Sequence, residues 1–260
     1  VSPTKPVDLA QVARSTGAAV VEVAGWRDRG HAGGMGAVAT IVVHHTAGPA
    51  GDDMPSLDVL VRGRAGLAGP LAHYGIGRSG KIYVVAAGLC WHAGQVRDAS
   101  FANASAIGIE AENVGDGVDP WPSAQRTSTV RLSAALCRAY GLTPGRVLGH
   151  REVCAPVGRK VDPRGLDLSM LRSDVKAVLA EPSAPTARPV LRRLLVLDLD
   201  DMMHGKDVEA VQGRLGVKVD GWYGPLTVSV VRDWQRRHRL DPDGIVGPAT
   251  ARGLGLTWWG

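Results

Sequence analysis

Five of the eight histidines in this 260-residue chain fall in four short motifs: VVHHTAG (42–48), LAHYGIG (71–77), CWHAG (90–94) and LGHREVCAPVGRKVDP (148–163). The last carries the most chemistry. His150 closes a short apolar run, and an irregular loop with two prolines then brings Lys160 and Asp162. A catalytic zinc takes three protein ligands of N, O or S type and keeps a fourth position open. Two histidines and one aspartate make such a set, and Pro163 restrains the backbone of Asp162. Cys154 in the same loop is a rival ligand. His44 and His45 end the run TIVVHH, where neighbouring side chains point to opposite faces of a strand, so only one of them can enter a given site. No HExxH helix and no G-x-S-x-G elbow occurs, which excludes zincin-type and serine-hydrolase chemistry. A hydrolytic site also needs a base, and alternation along IGIEAEN puts Gly108, Glu110 and Glu112 on one face. Alternation alone does not choose between the two glutamates.

These groups need a frame. Asp8 to Thr16 reads as a helix and AAVVEVAG as a strand. TIVVHH is a second strand, AHYGIGRSGKIYVVAAG a hairpin turning at Ser79-Gly80, and SAIGIEAENV a further strand. STVRLSAALCRAYG is an amphipathic helix with Ser128 at its N-cap and Gly141 as its stop, and a last helix follows Asp167. Strands and helices interleave, so the expected fold class is α/β, a mixed central sheet flanked by helices. The three prolines of AEPSAPTARPV cannot continue a helix. They divide the chain into a domain over 1–179, a linker over 180–190 and a domain over 191–260. The latter holds a near-repeat, DGWYGPLT (220–227) and DGIVGPAT (243–250), each a turn leading into a helix. It reads as a small all-α helical bundle.

Composition sets the outer bounds. Hydrophobic residues make up 45% and charged residues 21%, ordinary for a globular protein. A net charge of +5 suits an anionic partner such as a nucleic acid, a membrane surface or an anionic wall polymer. No basic block is interleaved with aromatics, so nucleic acid is not the expected partner. No apolar run approaches the ~18–20 residues that span a bilayer, so no membrane insertion is expected. The start, VSPTKPVDLAQ, shows no charged segment followed by an apolar one, so no signal peptide is expected. Three cysteines, Cys90, Cys137 and Cys154, are not a disulfide framework. His204 and His238 read as surface or packing residues, and His31, in a glycine-rich stretch, reads as exposed.

In order along the chain, VVHHTAG, AHYGIGRSGKIY, WHAG, SAIGIEAEN and GHREVCAPVGRKVDP resemble the motifs of type 2 N-acetylmuramoyl-L-alanine amidases, which share a fold with peptidoglycan recognition proteins. The resemblance covers about Ala18 to Leu179. From Leu191 onward, GKDVEAVQ, DGWYGPLT and DGIVGPAT resemble a helical peptidoglycan-binding domain. The segment GWRDRGH and the lack of a visible leader are similar to amidase endolysins of actinobacterial phages. The resemblance implies a Zn2+ cofactor on His44, His150 and Asp162, with His45 facing away. Asp162 matches a Lys-x-Asp-Pro branch, and Cys154 lies too soon after His150 for the branch that uses cysteine. It implies Glu110 as the base and Lys160 at the oxyanion. Some members place a Tyr where this chain has Ala72, so catalysis would rest on the Glu-Lys pair. His73, Trp91 and His92 would line the substrate groove. The implied substrate is the amide joining N-acetylmuramic acid to L-alanine, the partner bacterial peptidoglycan, and the protein a monomer held in the host cytoplasm until released to the wall. Rival readings are a non-catalytic wall receptor, a cytoplasmic muropeptide-recycling amidase, and a glycosidase, which would need paired carboxylates instead of a metal.

Overall fold

Short, mostly apolar runs build a six-stranded sheet. Numbered along the chain, its strands lie in the order β1 (Val20–Glu22), β6 (Ile82–Val84), β5 (Tyr74–Ile76), β7 (Ala106–Ala111), β2 (Thr40–His45) and β8 (Val147–Gly149). Only β5 and β6 run antiparallel; every other neighbouring pair is parallel. This computed structural model describes residues 8–180, 190–191 and 193–258.

Strand parity sorts the side chains into two layers. Ile41 and Val43 of β2 and Ile107 and Ile109 of β7 join one core with α1 (Leu9–Arg14), α3 (Ser123–Tyr140) and α5 (Leu168–Ala180), through Leu9, Leu132, Leu136, Leu171 and Val175. The alternate residues, Val42 and His44 with Ala106, Gly108 and Glu110, therefore face away from this helical layer. On their side run the short helices α2 (Leu57–Arg62) and α4 (His150–Val153), the small hairpin β3 (Gly63–Arg64) with β4 (Leu67–Ala68), and long loops. His44 and Glu110 sit directly opposite each other in the β2–β7 register.

The helix ends follow from their caps. Asp8 accepts from the backbone N–H groups of Ala10 and Gln11, and Asp167 does the same for Ser169 and Met170. Gly141 ends α3 in the left-handed region at φ 65°. The start of α3 differs from the expectation. The helix begins at Ser123, and Ser128 lies buried within it, its hydroxyl donating to the Gly80 carbonyl at 2.6 Å. A serine side chain that finds a tertiary acceptor has no need to cap a terminus.

The chain divides into two compact units between Pro182 and Ser183. Apart from its end residues Ala180 and Val190, the linker expected over 180–190 lies outside the described residues. The second unit contains α6 (Lys206–Leu215), α7 (Pro225–Arg237), α8 (Pro248–Gly253) and a parallel pair of two-residue strands, β9 (Val190–Leu191) and β10 (Thr257–Trp258). Leu191, Val208, Val211, Tyr223, Val228, Val231 and Val246 form its core. The strand pair is an addition to the expected all-helical bundle. The sequence repeat has a physical cause in two buried glutamines. Gln212 donates to Asp220 Oδ1, the Trp222 carbonyl and Thr227 Oγ1, and accepts from Gly221 N–H. Gln235 makes the equivalent set with Asp243, Ile245, Thr250 and Gly244. Each Asp-Gly-x-x-Gly-Pro-x-Thr loop thus folds around a glutamine eight residues upstream.

Candidate metal centre

Three elements deliver one cluster. His44 comes from the end of β2, His150 from the first residue of α4, and Asp162 from the loop that follows it. His44 Nδ1, His150 Nδ1 and Asp162 Oδ2 lie 3.0 Å from one another in all three pairings. All three residues are buried. Ligands at ~2.0–2.1 Å around a tetrahedral zinc stand ~3.3 Å apart, so the spacing is close to that of a metal-binding triangle.

The partners of the distal ring nitrogens fix the tautomers. A carbonyl only accepts, so His150 Nε2, 2.8 Å from the Ala93 carbonyl, carries a proton. His92 Nε2 likewise donates to the Ala106 carbonyl at 3.2 Å. His92 Nδ1 then accepts from His44 Nε2 at 3.1 Å. Burial holds His92 well below the usual imidazole range and lowers His44 to about 4, so both rings are neutral near pH 7. With its proton on Nε2, His44 turns a bare Nδ1 lone pair toward the Asp162 carboxylate, and His150 Nδ1 faces the same oxygen. Two acceptors face to face at 3.0 Å are a poor arrangement unless a cation stands between them, and the His/His/Asp donor set suits a borderline-soft divalent ion. This group is the one set of three metal-ligating side chains that meets so closely among the described residues.

His45 is turned the other way. It is half-buried, and its Nδ1 accepts from the backbone N–H of Arg164 at 3.0 Å. Cys154 is buried away from the cluster, with its thiol near the Arg151 and Pro156 carbonyls.

The cluster forms the floor of a cleft of about 730 Å3, which Glu110, Lys160 and Trp91 also line. Glu110 Oε1 stands 3.9 Å from His44 Nδ1, and its Oε2 has no hydrogen-bond partner. Burial pushes the Glu110 carboxyl well above the usual range, Asp162 adds to this, and the Lys160 charge opposes it. Glu112 is fully buried and already occupied. It accepts from Thr46 Oγ1 at 2.7 Å, from Ser56 Oγ at 3.0 Å and from Ser56 N–H at 3.1 Å. A carboxylate with three donors and no exposure is a brace for the loop after β2, which separates the two glutamates that alternation left equivalent.

The groove-lining expectation holds unevenly in position. Trp91 is 42% exposed at the rim. It stacks on His31 at 3.7 Å between ring centroids, so His31 is half-buried packing for Trp91 and not a free surface residue. His73 departs from the expectation: it is fully buried, accepts from Gly108 N–H at 3.0 Å, and offers no surface to a substrate. Burial lowers its ring to about 3. His92 does line the cleft, with only 8% of its surface exposed. Both its nitrogens are spent on His44 and Ala106, so the ring supports a ligand from behind. The sequence held a sign of this in Gly108. A Cβ there would fall 2.6 Å from the His92 ring, and a glycine inside a strand marks such a close approach.

The profile of the N-acetylmuramoyl-L-alanine amidase family matches residues 34–165. A profile for a peptidoglycan-binding domain matches residues 204–254. A Bacillus licheniformis protein named a probable N-acetylmuramoyl-L-alanine amidase is 28% identical over 169 residues, covering 59% of this chain and 46% of its own length. An uncharacterised protein of Kitasatospora aureofaciens is 42% identical over 62 residues, 21% of this chain and 51% of its own. The chain thus spans about half the length of the curated relatives it matches. Among solved structures, the endolysin amidase LysCS from Clostridium intestinale aligns at TM-score 0.46 with 21% identity, over 60% of this chain and 95% of that one.

Proposed function

This chain belongs to the N-acetylmuramoyl-L-alanine amidase family, and on that premise we propose that it hydrolyses the amide between the lactyl group of N-acetylmuramic acid and L-alanine in peptidoglycan. The observation that carries the proposal is the convergence of His44, His150 and Asp162 at 3.0 Å spacing on the floor of a cleft that Glu110 also lines. His44, His150 and Asp162 would hold one zinc ion, which when bound supplies Lewis acidity to the scissile carbonyl. Glu110 is the base. Its unpartnered Oε2 is available to take the proton of an attacking water, and its position opposite His44 in the register keeps it beside the metal ligands. Lys160 brings positive charge to the cleft wall, where it stabilises the oxyanion of the tetrahedral intermediate. The proton then passes from Glu110 to the leaving amine of L-alanine. Glu112 keeps its three donors and takes no part.

The second unit, as a peptidoglycan-binding module, would tether the catalytic unit to an insoluble polymer and raise its local concentration there. A wall-lytic role of endolysin type accounts for both units, whereas recycling of small soluble muropeptides leaves the second without a task. No helix of the described residues is long and apolar enough to cross a membrane.

Digestion of purified cell wall followed by mass spectrometry tests the reading. The expected products are free stem peptides beginning with L-alanine and intact glycan strands, and a zinc chelator should stop their release. New glycan reducing ends, or no release by the zinc-loaded protein, would overturn it.

A further inference from the structure

Arg159 lines the cleft between the metal cluster and Trp91, and also the adjoining pocket of about 470 Å3. An exposed arginine is ordinarily free to move, but this one is pinned. Its Nε donates to the Ala155 carbonyl at 2.8 Å, and its Nη2 donates to the Gln95 carbonyl at 2.8 Å and the Ala93 carbonyl at 3.3 Å. Ala93 is the residue whose carbonyl also accepts from His150. The guanidinium therefore hangs on the same peptide group that orients a metal ligand, one imidazole ring and two hydrogen bonds from the cluster. Backbone carbonyls use three of its five N–H groups and leave those of Nη1. Among the described residues no carboxylate pairs with it. The two carboxylates that share its cleft are committed, Asp162 to the cluster and Glu110 to the base position.

A planar, permanently charged donor held in one orientation with no counter-ion is built to receive an anion. We infer that Arg159 is a specificity-determining residue that receives a carboxylate of the stem peptide, one or two residues from the scissile amide. The inference rests on the proposed amidase reading. A γ-linked glutamate at the second stem position leaves its α-carboxyl free, and an isoglutamine there has lost that charge. Extended chain rises ~3.3–3.6 Å per residue, so a group at the second position stays within the span of this cleft.

Two probes differing only in that group make the test: N-acetylmuramyl-L-alanyl-γ-D-glutamyl-L-lysine and its γ-D-isoglutaminyl counterpart, in both of which the γ-carboxyl is tied up in the amide to lysine. Turnover and calorimetric binding are measured for both, with the zinc-loaded full chain and with Arg159→Met and Arg159→Lys. The expected result is a preference of about 10- to 100-fold for the free acid, the range of a charge-assisted hydrogen bond. The preference should vanish in Arg159→Met and survive in part in Arg159→Lys. A merely structural arginine would lower both probes equally on substitution and leave their ratio unchanged, which overturns the inference. So does a parent protein that treats the two probes alike while hydrolysing them. A charge preference in binding that depends on Arg159, with no hydrolysis of either probe, would uphold the carboxylate site and overturn the amidase reading instead.

Discussion

Replacing His92 by alanine tests whether the buried ring acts on the metal site or on the substrate. The ring makes two hydrogen bonds, to His44 Nε2 at 3.1 Å and to the Ala106 carbonyl at 3.2 Å. Truncation strands a donor on His44 and an acceptor on Ala106 in a buried place. Each neutral bond contributes about 0.5–1.5 kcal/mol net, and a stranded buried group costs about 1–3 kcal/mol. The share felt by the metal is the loss of orientation and basicity at His44. For such supporting partners this is about 10- to 100-fold in affinity, or roughly 1.4–2.7 kcal/mol. Competition for zinc against a chromophoric chelator measures it, with circular dichroism to confirm folding. Gly108→Ala approaches the same ring from the other side. Its Cβ would fall 2.6 Å from the His92 ring and displace it without touching any ligand. Both variants should lose zinc affinity. If both fold and bind zinc as the parent does, the relay from Ala106 through His92 to His44 has no bearing on the metal. Lost turnover on wall with zinc affinity intact would assign His92 to the substrate instead.

Glu110→Gln should lower turnover by ~10²–10⁴ while keeping zinc. Without metal it should also melt higher than the parent near neutral pH. Burial makes the metal-free fold bind the Glu110 proton more tightly than the unfolded chain does, so the stability of the metal-free parent falls as pH rises above the unfolded value of ~4.3, and the amide removes the loss. Asp162→Ala should abolish zinc binding measured by metal content, whereas Cys154→Ser should leave it unchanged; the reverse pattern would refute the ligand set. Acidification should release the metal as His44, neutral down to about pH 4 in the metal-free site, competes with protons, a loss that titration of bound zinc against pH would follow. Gln235→Ala should destabilise the second unit by about 2–4 kcal/mol, read from faster hydrogen exchange in α7 and α8 of the full chain.

The elements that carry the site were legible because their signals are local. TIVVHH has the period and branching of a strand, and parity alone set His44 and His45 on opposite faces. Gly141 marked the end of α3 because the left-handed region favours it. What was not legible depends on what lies across space. Glu110 and Glu112 share a face in the pattern, and only the loop bearing Thr46 and Ser56 distinguishes them. That His92 supports His44 as well as lining the cleft was not legible, because a motif shows spacing and not which way a ring's nitrogens point. Ser128 resembled a cap because serine often is one, until the Gly80 carbonyl claimed its hydroxyl. The glutamines behind the C-terminal repeat recur at the same step as the loops, Gln212 to Gln235 as Asp220 to Asp243, but they stand eight residues ahead, and the pattern does not show that their side chains fold back onto the turn.

The sequence distances in the two units differ widely, and this bears on the order in which they can form. Around Gln212 and Gln235 the partners lie 8 to 15 residues away, so these turns close early and at small entropic expense. His44 meets His150 across 106 residues and Asp162 across 118. Those contacts wait for parallel strands to find their register, among the slower events in folding. A cation gripped by the three therefore bridges more than a hundred residues in the folded chain alone, and it stabilises the first unit by mass action, in proportion to the logarithm of its free concentration over its Kd. The ion that equips the cleft also acts as a late crosslink, and it takes hold only once the first unit is essentially complete.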